Sequence, residues 1–176
     1  MGGIMMLADT DWVAYQSNRP TDDPAIFYAS PHKKTNRQPQ DPLFCVNAGS
    51  TRSIVAVGLI QNQTLIHSDD AWAQYRNALG ADTEVDWREQ ASAVLANCRK
   101  TYDGKMLAIE LVDFQRYDTP VKMEEVGLPD TKWSDKKNLD ETTTAELLSR
   151  IHYYSAATDL NNICLLYTSP SPRDRG

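Results

Sequence analysis

The chain has 176 residues, with 18 Lys and Arg against 24 Asp and Glu, a formal net charge of −6. That balance excludes a protein that coats nucleic acid through its total charge, because phosphate affinity comes from clustered Lys and Arg. A reader with a local basic patch stays open, and Lys33, Lys34 and Arg37 in the stretch His32-Lys33-Lys34-Thr35-Asn36-Arg37 form one such cluster.

The composition is that of an ordinary globular protein, and about 160 residues suit one domain with a respectable core. No apolar run reaches the length of a membrane span, and Met1-Gly2-Gly3-Ile4-Met5-Met6-Leu7 lacks a basic signal region. Met6 stands where N-myristoylation needs Ser or Thr. Cys45 and Cys98 offer no disulfide framework, so a reducing, cytoplasmic setting is expected. Residues 164–176, from Cys164 to Gly176, are of another kind. Cys164 to Asp174 can be written in codons that spell a transposon-end adapter used for sequencing libraries. The expected organisation is therefore one domain over 1–163, cut short before a further domain, followed by an adapter-derived tail over 164–176.

Taken in order, Asp9-Thr10-Asp11 ahead of Trp12 and Tyr15 predicts a short helix capped by Asp9 or Thr10. Ala25-Ile26-Phe27-Tyr28-Ala29 predicts a strand that ends at Ser30-Pro31. A polar turn from Asn36 to Pro42 precedes a second strand, Leu43 to Val46, and Asn47-Ala48-Gly49-Ser50 reads as a tight turn. Ser53 to Ile60 is the strongest strand signal, β-branched and almost wholly apolar, so a central position is expected. Gly58 within it signals a bulge or a close backbone approach.

Ser68-Asp69-Asp70 opens a helix with Trp72, Tyr75 and Leu79 on one face and Gly80 as its stop. Thr83 begins another, with Trp87, Ala91, Val94, Leu95, Cys98 and Tyr102 at helical spacing. Met106 to Phe114 is a buried strand. A last helix is predicted from a capping box between Thr143 and Glu146, followed by Leu147, Leu148, Ile151 and Tyr154. Strands and helices do not alternate regularly, so the expected class is α+β, a small curved sheet or barrel with flanking helices.

The usual catalytic signatures are missing: no Gly-rich phosphate loop, Cys-x-x-Cys, His-Glu-x-x-His or Gly-x-Ser-x-Gly occurs. His32, His67 and His152 lack partners at ligand spacing, and the acids of His67-Ser68-Asp69-Asp70 are better explained by a helix N-terminus than by a metal. Asp-Gly-Lys at 103–105, Asp-Thr-Lys at 130–132 and Asp-Lys-Lys at 135–137 are read as polar loops. No cofactor, metal site or catalytic residue is expected, and the chain should bind rather than cut.

Asp41-Pro42-Leu43-Phe44-Cys45-Val46-Asn47, a turn, and Ile54-Val55-Ala56-Val57-Gly58-Leu59-Ile60 together resemble the EVE branch of the PUA-like superfamily. A nearer resemblance is to PUA/EVE-like modules that precede HNH nuclease domains in bacterial restriction proteins. It rests on Ala8-Asp9-Thr10-Asp11-Trp12, Ile26-Phe27-Tyr28-Ala29-Ser30-Pro31, Ala71-Trp72-Ala73-Gln74-Tyr75-Arg76, an Ile-Glu-Leu strand and Thr119-Pro120-Val121. Gln40, Ala56 and Arg76 depart from glycines of the pattern.

The resemblance implies a PUA-like pseudo-barrel whose pocket takes a flipped or single-stranded base, with modified DNA as the expected partner and an HNH nuclease as the missing effector. An unstacked base needs aromatic faces and a few polar groups to read its edge. Trp12 and Tyr28 are the candidate aromatics, Asp11, Ser30 and Asn47 the candidate edge readers, and Lys33 and Arg37 the candidate phosphate contacts. Three rival readings remain: an ASCH-like or PUA-like RNA-binding module, an enzyme that holds metal on Glu110 and Asp113, and a protein-interaction domain using its aromatic helices. Glu110 and Asp113 fall on opposite faces of an alternating strand, which weakens the second.

Overall fold

A computed structural model describes residues 2–47, 52–128 and 136–151. The predicted turn beyond Asn47, His152, Tyr154 and the adapter-like tail lie outside these residues.

The first element is one that hydrophobic periodicity passes over. Gly3–Ala8 forms β1, which pairs in parallel with β3, Pro42–Asn47. Both strands are covered on both faces: Ile4, Met6, Leu43 and Cys45 enter one core, while Met5, Phe44 and Val46 enter another. A strand buried on both sides reads as an unbroken apolar run rather than an alternation.

Between them, α1 spans Thr10–Ser17, capped by Asp9, whose carboxylate accepts the amides of Asp11 and Trp12. The strand β2 is Ala25–Ala29, as its β-branched and aromatic residues predict, and a single 3-10 turn, Pro31–Lys33, follows it. The central strand β4 runs much further than its apolar half, from Ser53 to His67, because its second half keeps pairing with β5 while presenting Gln and Asn outward. Gly58 sits at a register shift, and a Cβ there would stand 3.0 Å from Cβ of Leu111. Bulge and close approach coincide.

His67 caps α2, Ser68–Tyr75, through Nδ1, and Gly80 ends the following 3-10 turn at φ +104°. Thr83 caps α3, Glu84–Gln90, which breaks at Ala91 before α4, Ser92–Thr101. The single predicted helix is thus two, although Trp87, Ala91, Leu95 and Cys98 still share its buried face. The strand β5 covers Lys105–Lys122. Lys136–Leu139 is β6, so Lys136 and Lys137 belong to a strand and not to a loop. Residues 141–151 form α5. Its cap lies one turn before the predicted box, at Asp140, whose carboxylate accepts the amide of Thr143.

Among the described residues, six strands form one mixed sheet in the order β2-β5-β4-β3-β1-β6. The sheet curls until its ends meet. Nζ of Lys136, on the last strand, donates to the carbonyls of His32 and Lys34, just past the first strand. This is an α+β curved sheet closing toward a barrel, with α1 over one opening and α2 to α4 stacked outside β2 and β5. Among the described residues, no helix is long and apolar enough to cross a membrane.

Candidate nucleic-acid interface

Closing the sheet leaves a seam, and a cleft of about 270 Å3 opens along it between the end of β1, the start of α1, the end of β2 and the α3–α4 corner. Trp12, Phe27 and Tyr28 supply its aromatic lining, Ala93 and Val94 its helical wall, and Asp9, Ser30, Lys33 and Gln90 its polar groups.

Trp12 is 3 % exposed, which corrects its assignment as an aromatic that stacks on the base. Its Nε1 donates to the carbonyl of Ile26 at 3.1 Å, and its ring meets Phe27 and Phe114 edge to face. An indole held on three sides forms a rigid floor, not a free stacking face. Tyr28 is half-buried, with its ring edge-on to Trp87 at 5.9 Å between centroids. Burial pushes its phenol up to about 12; the Asp9 carboxylate adds to that and a hydrogen bond with Gln90 opposes it. The phenol is therefore neutral at physiological pH, able both to donate and to accept.

Ser30 is buried at the rim, where its Oγ accepts from Nδ2 of Asn97 at 2.7 Å. The ring of His32 lies over that of Tyr102, with Nδ1 and the phenolic oxygen 3.0 Å apart. Ser30, His32 and Lys136 together fix the turn that carries Lys33 into the cleft.

Four of the seven candidate residues converge here: Trp12, Tyr28, Ser30 and Lys33. The other three do not line the cleft. Asp11 is exposed on the first turn of α1, and Asp9, the cap two positions earlier, takes the place expected for it. Asn47 pairs beside Ala8, but its side-chain oxygen accepts the amide of Ser53. Arg37 lies further along the seam, donating to Asn138 on β6. Gln90 was missed because nothing local separates it from an ordinary solvent-facing helix residue. Among the described residues, no group of three His, Cys, Asp or Glu side chains is placed to hold a metal ion.

No protein-family model matches the sequence, and no curated protein does. Solved structures do match. The crystal structure of ASCH from Zymomonas mobilis superposes with a TM-score of 0.58 at 11 % identity, over 84 % of this chain and 94 % of that one. Two single-substitution mutants of the same protein give 0.61 and 0.60 at 12 % identity, over 84 % of this chain and 96 % and 94 % of theirs. The fold is thus ASCH-like, within the PUA-like class.

Proposed function

We propose that the chain is a nucleic-acid reader that takes one unstacked base of a single-stranded RNA into the seam cleft. The observation that carries this reading is the cleft itself: a small space with an aromatic floor and wall and four polar side chains at its edge. At about 270 Å3 it falls just below the usual small-molecule range of about 300–1,000 Å3, a size suited to one planar heterocycle. A base leaving its stack needs apolar faces on both sides and hydrogen bonds on its edge. Tyr28 and the Ala93–Val94 face of α4 offer the first, and Asp9, Ser30 and Gln90 the second. Lys33 supplies positive charge at the mouth.

The ASCH-like, PUA-like architecture favours RNA over DNA as the strand. A modified DNA base, read on behalf of a nuclease domain, would use the same cleft, and competition separates the two. Ala93 is exposed and lines the cleft, so Ala93→Trp fills the space without disturbing the core. Base–aromatic stacking is worth about 1–3 kcal/mol per base. Fluorescence anisotropy with a single-stranded RNA should therefore show Ala93→Trp weakening binding by about tenfold or more, with the melting temperature held. Equal affinity of the variant and the wild type would overturn the reading. A DNA strand carrying a modified base that outcompetes matched RNA would transfer the cleft to the DNA role.

A further inference from the structure

Further along the same seam lies a second groove, of about 260 Å3, lined by Lys34, Thr35, Asn36, Arg37, Lys136 and Asn138. It gathers three cationic side chains and, among the described residues that line it, no carboxylate. In a chain with net charge −6 that is a marked segregation of charge. The cations come from two segments about a hundred positions apart in sequence, brought together only by the closure of the sheet.

The groove is also held in shape. The side-chain amide of Gln63, on β4, clasps the backbone of Thr35: its Oε1 accepts the Thr35 amide at 3.1 Å and its Nε2 donates to the Thr35 carbonyl at 3.0 Å. Lys136 bonds the carbonyls on either side of Lys33, and Arg37 reaches Asn138. An ammonium has three donors, so with two spent on carbonyls Lys136 keeps one for the groove. Arg37 spends one of five on Asn138.

We infer that this groove is a phosphodiester site, which seats the backbone of the strand whose base enters the neighbouring cleft. Oxyanions with spread charge are what clustered Lys and Arg recognise, Arg in a forked geometry and Lys as a point charge. The two sites lie on successive residues of one turn: Lys33 lines the cleft and Lys34 the groove, and consecutive Cα atoms are about 3.8 Å apart. A chain that leaves its base beside Lys33 therefore lays its next phosphate against Lys34, Arg37 and Lys136. The inference rests on the cleft reading for the occupant but not for the chemistry of the groove.

The test uses two probes of about twelve nucleotides, a single-stranded RNA and an abasic strand that keeps the phosphates and lacks the bases. The variant is Lys34→Gln with Arg37→Gln, which leaves the Lys136 closure intact. The wild type should bind the abasic strand, and the double variant should lose most of that binding. On RNA, the slope of log affinity against log salt should be shallower in the variant by about 1.4, since each single-strand phosphate contact contributes about 0.7. Ala93→Trp should leave abasic binding unchanged. A wild type that ignores the abasic strand, or a variant with an unaltered salt slope, overturns the groove. If the groove variant behaves as expected while Ala93→Trp binds RNA normally, the groove stands and the base cleft falls.

Discussion

Trp12 and Gly80 show how single residues set the site. The indole of Trp12 is held by Ile26, Phe27 and Phe114, and backbone abuts its edge: a Cβ on Gly80 would stand 2.5 Å from Cδ1 of Trp12. Gly80 also sits at φ +104°, a region that side chains other than hydrogen rarely adopt. Sequence could identify this glycine as a helix stop, but not as the lid over an indole sixty-odd positions away. Both the strain and the clash act against any substitution. Gly80→Ala should therefore cost more than about 1 kcal/mol, beyond the usual penalty for a residue forced into an incompatible conformation. Urea unfolding checks this. A midpoint equal to that of the wild type would mean that the indole moves aside freely, and the cleft would lose its fixed floor.

At the scale of elements, what was legible followed local chemistry. Asp9, Thr83 and Gly80 announce their helix ends because capping is a matter of a few adjacent residues. Both unread strands depend on distant partners. The apolar run of β1 makes sense only against β3, and Lys136-Lys137-Asn138-Leu139 carries edge-strand chemistry, charged and nearly without apolar residues. The cap of α5 was misplaced by one turn for a related reason. Thr144 lies among several threonines in sequence, but in the fold the residue is 1 % exposed, its hydroxyl donating to the carbonyl of Asp140 and accepting the amide of Gly3 at 2.9 Å. One hydroxyl thereby fastens α5 to the start of β1. Thr144→Val keeps the shape and leaves the Gly3 amide buried without an acceptor, a loss of about 1–3 kcal/mol. Hydrogen exchange should show the Gly3 amide losing protection first, along with a lower melting temperature. Unchanged exchange at Gly3 would refute the fastening.

For the whole molecule, closure is the feature that sequence patterning could not supply. The α+β class with a curved sheet or barrel follows from unalternating elements, and the PUA-like pseudo-barrel is what the family resemblance implies, but the basic groove exists only because β6 returns to the turn after β2. Closure also buries protonated groups that the unfolded chain would release into water. Burial holds the Cys45 thiol up at about 12 from an ordinary 9.0, and the Tyr28 phenol at about 12 from 10.0. Tyr117, whose hydroxyl donates to the carbonyl of Leu147 at 2.7 Å, is raised by burial as well, against a smaller opposing pull from Arg150. Between the ordinary and the raised values the folded chain binds more protons than the unfolded one, so stability must fall as pH rises. The stabilisation is whole below about pH 9, begins to erode as the unfolded thiol and then the unfolded phenols ionise, and is lost as pH passes through about 12. The melting temperature should accordingly hold from neutral pH to about 9 and then decline. Cys45→Ala should melt lower at neutral pH, because it leaves a void in the core, yet decline less steeply above pH 9 because one of the buried protons is gone. A wild-type melting temperature that stays level to about pH 11 would show that these groups are not shielded from water in the folded chain.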